Sequence, residues 1–104
     1  MNTSGVSDTI IQSIVATCQN FPTVQRVLLY GSRARGDYQQ GSDIDIAIDA
    51  PLMDDNEFSI LWNALDDLPI IYSMDIVHLQ SLKNKQLINA IDRDERVLWF
   101  KQRP

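Results

Sequence analysis

Apolar positions recur with two periods along this chain, which alternates between them. Between Asp8 and Asn20 the residues Ile10, Ile11, Ile14, Val15 and Cys18 fall at helical spacing behind a capping Ser7 or Asp8, and Phe21-Pro22 ends the run. Val24–Tyr30 is an apolar run of strand length. From Asp43 to Asp49 the period drops to two: Ile44, Ile46 and Ile48 share one face, and Asp43, Asp45, Ala47 and Asp49 share the other. Ala50-Pro51 closes that strand. Helical spacing returns behind Asp54 or Asp55, with Phe58, Leu61, Trp62, Leu65 and Leu68 expected in the core and an end near Asp67. Pro69 opens a third strand, Ile70–Leu79, interrupted by Asp75. Ser81 is placed to cap a last helix carrying Leu82, Leu87, Ile88 and Ile91. The run Asp92–Arg96 reads as a solvated turn. Val97–Phe100 reads as a short final strand or an apolar tail, with Trp99-Phe100 expected in the core. The polar lead Met1–Ser7 is expected to fray.

These elements predict an α/β (α+β) domain, a small mixed sheet packed by about four helices. The connector from Ser32 to Ser42 has room for one helical turn around Arg33–Arg35 and is too short for a crossover, so the second strand is expected to return antiparallel to the first. That return sets Asp43 and Asp45 opposite the Gly31-Ser32 turn.

Carboxylates on a strand face change the picture from core-building to chemistry. Asp43 and Asp45 stand roughly 6.5–7 Å apart along one face, and two bare carboxylates at that range repel by roughly 2–3 kcal/mol at an effective dielectric near 20. Either one proton is retained or a cation lies between them. Clustered carboxylate oxygens suit Mg²⁺ or Mn²⁺, and Mg²⁺ is commonly held by one or two carboxylates plus substrate phosphates. Gly31 lets backbone approach a ligand, and exposed N–H groups with the Ser32 hydroxyl can cradle phosphate oxygens. Asp75, inside an apolar strand, is costly unless it has a partner or a purpose. Arg33 and Arg35 are candidates for phosphate contact, against the plainer reading of solvated charge. Asp37 and Asp49 read as surface acids. Face parity sets His78 apart from Asp75 as a ligand, and Cys18 belongs to the first helix's core stripe.

Length and charge limit the function classes. The 104 residues carry a net charge of −5, which disfavours nucleic acid as a direct substrate, because non-specific binding depends on Lys and Arg neutralising phosphates. One domain spanning residues 1–104 is expected. A single cysteine fits a reducing compartment, and no apolar run is long enough for a membrane helix, so a cytoplasmic protein is expected.

The segment GSRARGDYQQGSDIDIAID resembles the polymerase-β-type nucleotidyltransferase superfamily, in particular its minimal nucleotidyltransferase branch, and LDDLPIIYSMDIVHL is similar to the same branch. Gly-Ser and Asp-x-Asp are weak signals alone. Ten residues apart between strands, with a third acid downstream, they are specific. The resemblance implies a nucleotidyltransferase fold in which Asp43, Asp45 and Asp75 are catalytic and bind two Mg²⁺ ions, with Mn²⁺ possible. It implies that Gly31 and Ser32, with Arg33 and Arg35 as further candidates, bind ATP or another NTP. It further implies a hetero-oligomer with a helical HEPN-type protein, an RNase toxin in some pairs, neutralised by transfer of AMP. Two other readings stay open: a non-catalytic binding partner, and a subunit that nucleotidylates a small molecule of the antibiotic type. The latter needs an acceptor pocket for which 104 residues leave little material.

Overall fold

The computed structural model describes residues 4–102. In chain order these are α1 (Asp8–Gln19), β1 (Arg26–Tyr30), α2 (Gly31–Arg35), β2 (Ile44–Asp49), α3 (Asp55–Asp66), β3 (Met74–His78), a 3₁₀ turn (Leu79–Ser81), α4 (Lys85–Asp94) and β4 (Arg96–Phe100). The strands form one mixed sheet in the order β3-β2-β1-β4. β2 runs antiparallel to β1, as the short connector requires, and β4 pairs antiparallel on the other side of β1. β3 lies parallel to β2 after the α3 crossover.

The period-two alternation of β2 decides which side chains meet which layer. Ile44, Ile46 and Ile48 are fully buried with Val27 and Leu29 of β1, against Ile14 and Cys18 of α1 and Leu61 and Leu65 of α3. The opposite face carries Leu28, Tyr30 and Ala47, which pack beneath Ile91 and Leu87 of α4. Cys18 is enclosed, and burial pushes its thiol up to about 12, so it is a core residue and no nucleophile.

Local signals settle most boundaries. The Ser7 side chain accepts from Ile10 N–H to cap α1, and Asp54 accepts from Glu57 N–H to cap α3. Four expectations are corrected. The last helix begins later: Ser81 Oγ is engaged with His78 Nδ1 at 2.8 Å, and Asn84 Oδ1 caps α4 instead by accepting from the Gln86 and Leu87 amides. β3 is shorter than Ile70–Leu79 and starts at Met74, where its pairing with Ile44 of β2 begins; Tyr72, just before it, lies on Arg33. Trp62, at the edge of its stripe, is 38% exposed and outside the core, and Phe100 is likewise exposed while Trp99 packs inward. Finally, the lead does not fray from Ser4 onward: Ser4 and Val6 are buried. Met1–Thr3 lie outside the described residues.

Candidate active site

Antiparallel return brings the Gly-Ser turn and the Asp pair together. Tyr30, the last residue of β1, is the register partner of Asp45, and Gly31 follows it directly. Gly31 has φ +74°, open to glycine, and a Cβ built there would fall on the Asp45 carboxylate, 3.2 Å from its Cγ. The Asp45 carboxylate thus rests against the turn because Gly31 has no side chain. Tyr30 supplies no side-chain cap to α2.

Parallel pairing supplies the third acid. Asp75 of β3 is the register partner of Asp45, on strands about 4.8 Å apart. Asp43 stands exposed just before β2, where the next amide, Ile44 N–H, donates to Ser73 O at 2.9 Å. Burial, then the charges of Asp75 and Asp43, push Asp45 up to about 6, with Arg35 and Arg33 opposing the rise. The Tyr30 hydroxyl is raised first by burial and then by the nearby charges of Asp75 and Asp45. Tyr30 is a site residue that the sequence reading took only as part of an apolar run.

The donor set suits a hard divalent ion: carboxylate oxygens converge from adjacent strands and raise one another's affinity for a positive charge. Among the described residues no three carboxylate, imidazole or thiol groups are already gathered into an ion cage. The arrangement is a close pair, Asp45 and Asp75, with Asp43 beside it rather than a closed triad.

The two arginines part company. Arg35 is exposed and pairs with Asp37 at 3.1 Å and with Asp94 at 2.9 Å. Asp94 is further held by Arg93, and these two arginines bring its carboxyl down to about 2. The run Asp92–Arg96 is therefore the end of α4 and the start of β4, and it fastens α4 to α2 rather than forming a solvated turn. Arg33, a candidate for phosphate contact or for solvated charge, is 2% exposed and gives its donors to backbone carbonyls. His78 is buried, stacked on Phe58, with Nε2 donating to Ala50 O at 2.8 Å. Asp49 lies at the far end of β2, paired with Arg26 at 2.6 Å. An open groove of about 690 Å³ runs along β4, across the sheet from Asp75; its lining is mostly apolar, and its one charged group, Arg26, is already paired with Asp49 and Glu95.

Comparison with known proteins agrees with this fold. The family described as polymerase beta, nucleotidyltransferase matches residues 12–104. A toxin–antitoxin complex crystallised with AMP-PNP contains a chain 28% identical, aligned over 88% of this chain and 74% of that one, with a TM-score of 0.66. A chain in an MntA–HpeT toxin–antitoxin complex bearing a Tyr-to-Ala substitution is 28% identical over 93% of this chain and 75% of that one, with a TM-score of 0.60. A complex of a tri-AMPylated Shewanella oneidensis HEPN toxin with its MNT antitoxin shares the fold, at 24% identity, 89% and 71% coverage and a TM-score of 0.66. No curated protein matches the chain by sequence.

Proposed function

Since the chain belongs to the polymerase beta nucleotidyltransferase family, we propose that it transfers AMP from ATP to a hydroxyl of a helical HEPN-type protein, as the antitoxin of a toxin–antitoxin pair. The observation that carries the reading is the register pair Asp45–Asp75 set against the side-chain-free Gly31. It joins a phosphate-accessible turn to paired carboxylates, which is what nucleotidyl transfer requires and a plain core does not.

Each residue has a part. The Gly31-Ser32 turn presents backbone N–H groups and a hydroxyl to the triphosphate. Asp45 and Asp43 would hold the cation that the triphosphate binds, and Asp75, close to the Tyr30 hydroxyl, takes the proton of the acceptor hydroxyl. The acceptor oxygen forms a bond to the α-phosphorus as the bond to the bridging oxygen breaks, and pyrophosphate leaves. Mg²⁺, held by Asp43, Asp45 and Asp75, would supply charge neutralisation for the phosphates and the leaving group. The rest of the catalysis is positioning on two rigid strands.

The choice of acceptor follows the relatives. Chains 28% identical to this one are found in toxin–antitoxin complexes, one of them with an ATP analogue, and the tri-AMPylated HEPN toxin sets the class of product to look for. The test is transfer of label from α-³²P-ATP to the co-purified helical partner in Mg²⁺ buffer. Label on the partner supports the reading. Protection of cells from the partner without label, in the wild-type pair, would replace transfer by neutralisation through binding.

A further inference from the structure

Arg33 is a cation enclosed at 2% exposure one residue after the Gly31-Ser32 turn. Taking a guanidinium out of water costs several kcal/mol unless its donors and charge are satisfied. Its Nε and Nη2 both donate to Ser42 O, at 3.0 and 2.9 Å, and its Nη1 donates to Ser4 O at 2.8 Å. The rings of Tyr38 and Tyr72 each lie 4.7 Å from its central carbon, a double cation–π arrangement. None of these partners is an anion, and each of the three nitrogens is directed at a backbone oxygen or occupied there.

Those partners belong to the segments on which the acids depend. Ser42 is the residue before Asp43. Tyr72 sits in the loop that leads to Asp75, and the next residue, Ser73, accepts from Ile44 N–H. Tyr38 also lies close against Gly5, where an added Cβ would meet the ring at 2.6 Å. One planar fork therefore ties the N-terminal lead, the connector and the loop before β3 to the base of the phosphate turn.

We propose that Arg33 is a positioning residue: its guanidinium fixes where the chain enters β2 and β3, and so sets Asp43, Asp45 and Asp75 relative to Gly31-Ser32 without touching the nucleotide. The kinetic half of this inference rests on the nucleotidyltransferase reading; the structural half does not. Lysine keeps the charge but cannot donate twice to one carbonyl or lie flat between two rings.

The experiment compares the wild-type chain with Arg33→Lys and, should that variant not fold, with Tyr72→Leu, which removes one ring and leaves the fork. Amide hydrogen exchange is read alongside ATP kinetics with the partner. Exchange across residues 42–46 and 72–76 is expected to rise about tenfold or more while the centre of β1 changes little, the mark of local opening rather than global loss. A misplacement on the order of 1 Å can cost up to about 10²-fold in rate, so kcat should fall at least about tenfold while KM for ATP moves less than about threefold. Unchanged exchange in those two segments, or a uniform rise across the sheet, would overturn the proposal. So would a rise in KM for ATP with kcat retained, since that marks a phosphate ligand. If the wild-type pair transfers no AMP, the functional reading fails, and the exchange pattern still decides the role of Arg33.

Discussion

At position 31 a single hydrogen atom makes the site possible. Gly31→Ala would force a positive φ of +74° on alanine, costing about 1–2 kcal/mol, and would drive the Asp45 carboxylate off the turn. The expected outcome in steady-state kinetics is a loss of transfer of about 10²-fold, well beyond what the modest fall in urea midpoint explains. Asp45 gives the matching pH signature. Its carboxyl is raised to about 6, first by burial and then by Asp75 and Asp43. A raised acid holds its proton more tightly folded than unfolded, so it carries no penalty below about pH 4 and a growing one as pH climbs through about 6. Asp45→Asn should therefore unfold at higher urea than wild type near pH 7.5, by up to roughly 2 kcal/mol after allowance for solvent screening. The two chains should converge near pH 4, and added Mg²⁺ should stabilise wild type at pH 7.5 but not the variant. Asp43, Asp45 and the Gly-Ser turn were legible in the sequence because alternation and a fixed spacing announce them. The burial of Arg33 was not, because its partners Ser4, Tyr38, Ser42 and Tyr72 follow no period, and beside a Gly-Ser turn an arginine reads as a phosphate contact or as solvated charge. Tyr30 was hidden for the opposite reason: inside an apolar run, its hydroxyl looks incidental.

Elements were legible where caps and periods agree and less so where one side chain had two possible duties. Ser7 and Asp54 have no competing partner among the bonds seen, and both cap as the spacing predicts. Ser81 is engaged with His78, so the cap passes to Asn84. In α3 the helical stripe is right along its centre and wrong at its rim: Leu61 is fully buried, whereas Trp62 is 38% exposed. Leu61→Ala should cost about 2–5 kcal/mol by urea unfolding, and Trp62→Ala under about 1 kcal/mol; the reverse order would mean that α3 is rotated about its axis. The N-terminal lead was misread because polar residues at a chain end look free, yet Ser4 is buried and its carbonyl accepts from Arg33. Gly5→Val, strained at φ +75° and set against the Tyr38 ring, should speed hydrogen exchange across residues 42–46 without any change at a catalytic residue.

At the scale of the molecule, the sheet order puts the acids on the β2–β3 side, and β4 at the other edge carries exposed Val97 and Phe100. No helix among the described residues is long and apolar enough to cross a membrane. A net charge of −5 concentrated in part on the β2–β3 face favours cations and cation-bearing nucleotides over bare polyanions. The family was readable from the paired motifs because they encode a geometry, an antiparallel return plus a parallel neighbour, that one sheet then realises. The most direct measurement is the intact mass of the helical partner after incubation with ATP and Mg²⁺ and either the wild-type chain or the Asp43→Ala, Asp45→Ala double variant. The account predicts that the partner gains the mass of one or more AMP groups with the wild-type chain and none with the double variant; equal gains with both would contradict it.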